Sequence, residues 1–455
     1  MREKEATAIL SAMGSEALSR QWKELSPGQQ RHLCLQLQQI DLATLRLQQQ
    51  MVHRPQTKKR EVTPFTQFST VGNAIDRESG LKMISQGMAG CLIVAGGQGS
   101  RLRTDGPKGK CLVTKVHKKS LFQLFAEKVK AAGKQAGRPL LLAIMTSPLN
   151  HQDTIDFFEE NAYFGLNPPQ ISFFQQEMLP LLDQESNLFL ETIDTLSMGP
   201  DGNGGALHQF FKCGLWNNWY SQGVRYLNFL PIDNPLADPF DAELFGYQQR
   251  QECDIVVKCT ERKNPEENVG VLVMEKGKTA VIEYSELPQN ERTGVNSDGT
   301  LLYSLANLSL FSFRMEFIKS VAESTHPGLH KAFKAVKYLD RNRQTVQAKN
   351  PMAWKFETFI FDLLPFASKV DALLYSREVC FSPLKNLSGN DSFETVAQAL
   401  EQRDRQVLSA VTGVPCTFNP LEISQEFYYP TPELISVWKG KSISHGGYIE
   451  GLRCD

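Results

Sequence analysis

The sequence predicts an α/β fold: a Rossmann-like, mostly parallel mixed sheet with helices on both faces, a helical segment before it and a small domain after it. Three observations carry that prediction. Short unbroken apolar runs such as "GCLIVAGG", "PLLLAIMTS" and "CDIVVKCTE" recur from about residue 88 onward. They lack the apolar–polar alternation of a half-exposed strand, as expected for strands covered on both faces. Amphipathic helical stretches separate them, which is the connection that parallel neighbours require.

In chain order, residues 1–60 are polar with helical spacing. In "SPGQQRHLCLQLQQIDLATLRLQQQ", Ser26 is placed to cap and Pro27 to take the first helical position. Leu33, Leu37, Ile40 and Leu45 follow at helical spacing with a Gln-rich opposite face, which suits a helix packed on a larger body. The charged, proline-bearing "HRPQTKKREVTP" (53–64) reads as a linker. "SLFQLFAEKVKAAGKQ" puts Leu121, Leu124, Phe125 and Val129 on one helical face, and "HQDTIDFFEEN" is a second helix. "QISFFQQEMLPLLD" begins as a strand, "RYLNFLPIDN" is another, and "WKFETFIFDLLPF" places Phe356, Phe359, Ile360 and Leu363 at helical spacing. The expected division is an N-terminal helical segment (1–60), a sheet domain (61–375) and a small C-terminal domain (376–455).

Composition narrows the function classes. A chain of 455 residues is long enough for two or three domains. Its net charge of −1 offers no broad basic field to a nucleic-acid backbone. The nine cysteines form no C-x-x-C pair, and His326 and His330 are separated by Pro327 and Gly328, which argues against a helical metal pair. With no run of 18 apolar residues and no signal segment in "MREKEATAIL", the expectation is a cytoplasmic protein with reduced thiols and no membrane contact.

The stretch richest in chemistry is "LIVAGGQGSRLRTDGPKGKC" (92–111). It is not a P-loop, because no Gly-Lys-Ser/Thr follows at the required spacing. It is a poor dinucleotide fingerprint, because Leu102 stands where the third glycine belongs. A glycine turn after a strand is commonly only a turn. Here, however, Arg101, Arg103, Lys108 and Lys110 follow it closely, and backbone N–H groups with lysines are the parts that hold phosphate.

"AGGQGSRL…PKG" resembles the G-G-x-G-T-R-L…P-K signature of sugar nucleotidyltransferases. "FGLNPPQISFFQQEMLP", "SMGPDGNGGALHQ", "LPIDNPLADP", "NPEENVGVLV", "VIEYSEL", "WKFETFIFDLLPFA" and "FSPLKN" follow in the order of the eukaryotic-type UDP-sugar pyrophosphorylases, and the resemblance covers about residues 60–400. The "FFQQ-x-MLP" and "PDGNGG" phrasing sides with the N-acetylglucosamine branch. The resemblance implies a GT-A-like nucleotidyltransferase sheet. It also implies transfer of uridylyl from UTP to a hexose-1-phosphate, with N-acetylglucosamine-1-phosphate favoured, giving a UDP-sugar and pyrophosphate with Mg²⁺ as cofactor.

The same resemblance assigns roles. The backbone of Gly96 and Gly97 would lie against the nucleotide, and Arg101 and Lys108 would hold the UTP phosphates. Gln176 and Gly202 would read the uracil edge, with Asn203 beside them; a carboxamide supplies the donor and acceptor that uracil needs. Asp233, ending "LNFLPID", would bind Mg²⁺, which needs only one or two carboxylates when phosphates share it. Gly270, Glu283 and Asn307 would bind the sugar, with Glu286 facing solvent, and Lys385 of "FSPLKN" would approach the phosphates from the far side. Taken singly, each has a plainer reading: a turn glycine, a surface Gln or Lys, an Asp capping its own turn.

Three departures from the family pattern bear on this reading: Ser100 for threonine, Arg103 for glycine, and Ala306 for the glycine before Asn307, where a methyl is expected to crowd an N-acetyl group. Glucose-1-phosphate is therefore the alternative acceptor. A non-catalytic nucleotide-sugar sensor of the same fold would have lost its cations or its metal carboxylate, whereas this chain keeps Lys108, Asp233 and Lys385.

Overall fold

A computed structural model of the chain describes residues 10, 13, 16–54, 60–99, 102, 106–284, 286–324 and 328–452. The apolar runs become strands of one large sheet: β1 (Phe68–Thr70), β2 (Ala89–Val94), β3 (Leu142–Thr146), β4 (Ile171–Gln175), β5 (Tyr226–Pro231), β6 (Ile255–Glu261), β7 (Leu305–Arg314) and β8 (Val370–Leu374). They lie in the order β1-β8-β6-β7-β5-β2-β3-β4. β7 is antiparallel to both its neighbours, β5 and β6, and the other pairs on this path are parallel. The mostly parallel mixed sheet is thus observed.

Burial explains the runs. Every residue of β3 is buried, and so is every residue of β2 but Val94. The helix Leu121–Ala136 starts where the Ser120 side chain accepts the Gln123 N–H, and it stops at Gly137, whose φ of 70° is cheap only for glycine. Its Leu121, Phe122, Leu124, Phe125 and Val129 share a core with Cys91, Ile93, Leu142 and Ile144 of the sheet. Each such side chain is worth roughly 1.5–3 kcal/mol when fully buried.

The chain packs as two compact units. One comprises Glu61–Gln175, Ala206–His326 and Leu363–Asp455, and holds the sheet. Within it, residues after 375 both join the sheet core, through Cys380, Leu384, Val396, Leu400 and Tyr429, and build a smaller core of Leu408, Leu421, Ile423, Phe427 and Leu434. The "linker" is corrected at its end: Val62–Pro64 form a strand antiparallel to Val271–Glu275, because its β-branched residues find a partner edge there.

The other unit comprises Met1–Arg60, Gln176–Gly205 and Pro327–Asp362. Ser26 caps the helix Pro27–Gln38 in a reciprocal capping box with Gln29. Asp41 then caps a second helix, Leu42–Val52, so the expected stripe is two helices. Leu33, Leu37 and Leu45 pack with Leu182, Leu188, Leu190, Leu196 and Phe356. "WKFETF" is corrected: Ala353–Thr358 is a strand antiparallel to Leu329–Lys334. The i,i+2 pair Lys355–Glu357, 2.6 Å apart, shares one strand face while Phe356 is buried on the other.

Candidate active site

β2 ends at Val94, and the chain turns through Ala95, Gly96 and Gly97 beyond the carboxyl end of the sheet, where open α/β sheets take ligands. Buried Asn150 holds this turn. Its Nδ2 donates to Ala95 O at 3.0 Å and Gly97 O at 3.4 Å, and its Oδ1 accepts the Ser147 N–H at 2.8 Å. Gly97 O also accepts the Lys108 N–H at 3.1 Å, which ties the glycine turn to the lysine turn. Among the described residues, no atom lies within 4 Å of a Cβ added at Gly97, so none of them requires glycine there. Gly109 is different: its Cβ would lie 2.1 Å from the Phe122 ring, so the turn Lys108–Lys110 can sit on the helix only without a side chain.

Lys108 reaches across to the parallel neighbour of β2. Its Nζ lies 3.4 Å from Asp233 Oδ2, just past the end of β5, and donates to Leu384 O at 3.1 Å. The Leu384 N–H donates back to Asp233 O at 2.7 Å. Both charged side chains stay partly open, at 18% and 20% exposure, so a ligand can reach them. Lys385 follows in the same loop, its ammonium 6.0 Å from the centroid of the Phe381 ring. With Lys263 and Arg377 it lines a cavity of about 930 Å³, in which Glu267 is ion-paired to Arg377. Arg101, Arg103 and Ser100 lie outside the described residues.

The residues expected at the sugar also meet. Asn307 N–H donates to Gly270 O at 2.8 Å, and a Cβ on Gly270 would stand 3.2 Å from Glu283 Oε1. Glu286 is exposed, as expected. The expected crowding by Ala306 is corrected: consecutive strand residues face opposite ways, and the Ala306 methyl points away from Asn307 into the sheet core, fully buried with Leu308 and Leu310.

Gln176, Gly202 and Asn203 belong to the other unit. Gln176 is buried. Gly202 has a φ of 89° and lies flat on Thr358: an added Cβ would be 2.4 Å from Thr358 O. The Thr358 N–H donates to Asp201 O at 2.6 Å, the Gly204 N–H donates to Thr358 O at 3.0 Å, and Asn203 Oδ1 accepts the Ile360 N–H at 3.0 Å. Asn203 therefore spends its carboxamide oxygen on the backbone just after Thr358. Asp201 is buried with one carboxylate oxygen unbonded, and burial, reinforced by the charge of Glu177, pushes its pKa up to about 7.

Sequence reasoning missed Asn150, Asn234, Lys128, Asp201 and Thr358. An Asn between a strand and a helix start could have signalled Asn150. Lys128 had no such signal, since a lysine in an amphipathic helix reads as solvated. It is buried, donates to Pro235 O at 2.6 Å and Ala237 O at 2.8 Å just after Asp233, and has its pKa lowered to about 8 by burial.

A glycine turn, a lysine and a carboxylate gathered at the carboxyl ends of adjacent parallel strands define a nucleotide-binding α/β protein of the nucleotidyltransferase class. Residues 45–410 match the family model described as UTP–glucose-1-phosphate uridylyltransferase, and the chain belongs to that family. It is 32% identical over 464 residues to UDP-N-acetylglucosamine diphosphorylase 1 of Arabidopsis thaliana, covering 95% of this chain and 90% of that one. It is also 32% identical over 428 residues to UDP-N-acetylhexosamine pyrophosphorylase-like protein 1 of Homo sapiens, covering 88% and 84% respectively. The solved uridine diphosphate N-acetylglucosamine pyrophosphorylase of Trypanosoma brucei, at 24% identity, shares the fold with a TM-score of 0.81 over 99% of this chain and 98% of its own.

Proposed function

We infer that the protein is a uridylyltransferase that converts UTP and N-acetylglucosamine-1-phosphate into UDP-N-acetylglucosamine and pyrophosphate. The observation that carries this reading is the 3.4 Å approach of Lys108 to Asp233 beyond two parallel strands, with the Leu384 backbone bonded to both. The choice of sugar is supported by the relative from Arabidopsis thaliana, whose name specifies UDP-N-acetylglucosamine.

In this reaction a sugar-phosphate oxygen attacks the α-phosphorus of UTP in line, and the bond to the pyrophosphate oxygen breaks. No covalent enzyme intermediate is required, and the obstacle is repulsion between anions. Two unit charges about 5 Å apart at an effective dielectric of about 20 repel by roughly 3 kcal/mol, and several such pairs arise here. Lys108 and Lys385, with Arg101, serve to neutralise and align the phosphates. Gln176 and the Gly202 backbone hold the uracil with Asn203 bracing the loop, Gly96 and Gly97 pass under the nucleotide, and Gly270, Glu283 and Asn307 hold the sugar.

The donor set suits Mg²⁺. Among the described residues no three His, Cys, Asp or Glu side chains converge into a metal cage, and Asp233 is a single, partly open carboxylate. That is the arrangement in which magnesium takes one carboxylate together with phosphate oxygens and water. Asp233 would hold the ion, whose charge would offset that of the phosphates. No helix among the described residues is long and apolar enough to cross a membrane, and a cytoplasmic location is proposed.

Pyrophosphate release from UTP tests the reading with each acceptor in turn. We expect kcat/KM for N-acetylglucosamine-1-phosphate to exceed that for glucose-1-phosphate by about tenfold or more, the scale of a few lost pocket contacts. Equal rates would make it a broad UDP-sugar pyrophosphorylase, reversed rates would move the assignment to glucose, and no release with either sugar would replace the enzyme with a sensor.

A further inference from the structure

We propose that Asn234 is a positioning residue that clamps the loop carrying Lys385 onto the loop carrying Asp233; the proposal rests on the uridylyl-transfer reading above. Asn234 follows Asp233, and its side chain is fully buried. Both ends of its carboxamide are used on one partner segment. Nδ2 donates to Cys380 O at 2.8 Å, and Oδ1 accepts the Ser382 N–H at 3.0 Å. This is the pattern by which an amide side chain imitates a neighbouring strand, fixing the partner's direction as well as its distance.

The clamp sets the course of the next three residues. From the anchored Ser382 the chain passes through Pro383, whose ring limits the backbone, to Leu384, whose N–H donates to Asp233 O at 2.7 Å. Leu384 O accepts from Lys108 Nζ at 3.1 Å, and Lys385 comes next. Its own N–H donates to Asp391 O at 2.7 Å, so the loop is held on both sides of the lysine. Of these ties between the Asp233 loop and residues 380–385, those of Asn234 are the ones made by a side chain of the Asp233 loop, and so the ones a substitution there can remove. Lys128 also holds the carbonyls of Pro235 and Ala237, which anchors the Asp233 loop from the helix side.

The consequence is that Asn234 should act on turnover through Lys385. A misplacement of about 1 Å can cost about 10²-fold in rate, and a lost clamp allows shifts on that scale. The test is a double-mutant cycle on the full-length protein with Asn234→Ala, Lys385→Ala and the pair, following pyrophosphate release from UTP and N-acetylglucosamine-1-phosphate. Asn234→Ala is expected to lower kcat about 10- to 100-fold with KM for UTP within about threefold. In the Lys385→Ala background the same change is expected to cost no more than about threefold, since coupled residues fail to add. Losses that multiply in the double variant, or a raised KM at unchanged kcat, would overturn the clamp. Should Asn234→Ala fail to fold, Asn234→Asp, of the same size and still able to accept the Ser382 N–H, carries the same cycle. An active wild type with additive losses sinks the clamp alone, whereas a wild type that releases no pyrophosphate sinks the uridylyl-transfer reading and the clamp together.

Discussion

The Lys108–Asp233–Leu384 cluster and the Asp201–Gly205 loop are held in opposite ways. In the first, the long side chain of Lys108 reaches across to Asp233, and both charged groups stay partly open to solvent. In the second, the backbone lies flat on Thr358, and the one charged side chain, Asp201, is buried with an unbonded oxygen. The first arrangement leaves its charged groups within reach of a ligand. The second is already committed to its own shape and offers a fixed surface. Side-chain changes should therefore strike rate at the first region, and stability and its pH dependence at the second.

The sharpest break in that comparison is expected at Asp233. Asp233→Asn should cut kcat/KM by about 10²-fold or more, the usual scale for losing a preorganised electrostatic group, and should raise the Mg²⁺ concentration needed for half-maximal rate. A metal titration that matches wild type would make this carboxylate structural. Next come Lys108→Ala and Lys385→Ala, each expected to lower kcat/KM by about tenfold or more while the melting temperature stays within about 2 °C, as suits a partly open residue and an exposed one. Wild-type kinetics in both would remove electrostatic neutralisation as the working principle of this region.

The smallest effect is expected at Asp201, and there it should appear in stability. Its pKa rises from the ordinary 3.8 to about 7 in the fold, so the folded state holds the extra proton between those values. The contribution is fully present below about pH 4 and is lost as pH rises through about 7. Asp201→Asn should therefore raise the melting temperature more at pH 8 than at pH 4; about 1 kcal/mol would show as roughly 2 °C in a protein of this size class. Thermal melts with the same pH slope in both proteins would show that the buried carboxyl does not titrate there.

Much of this molecule can be read before it folds. The continuous apolar runs announced β2, β3, β5 and β6, and the cap signal at Ser26 fell where a helix begins. The elements misread are those whose local pattern does not single out one period. "WKFETF" has aromatic residues at both helical and alternating spacing, and pairing with Leu329–Lys334 decided for the strand. Val62–Pro64 is too short to show any period and became a strand through its partner edge. The glycine turn, Lys108 and Asp233 lie in stretches legible as motifs, whereas Asn234 and Lys128 do not stand out, because nothing beside them in sequence signals burial on backbone carbonyls.

Sequence alone determined the strand-forming segments, the glycine turn, the cations and the carboxylate, because apolar runs and residue types are local properties of the chain. Only the tertiary structure decided that Lys108 meets Asp233 across 125 positions of chain, that the Ala306 methyl turns into the core, and that Asn234 and Lys128 are buried on backbone carbonyls. The physical reason is that hydrogen bonds and burial are relations between residues distant in sequence, and they come into being when strand order brings the loops together at one end of the sheet.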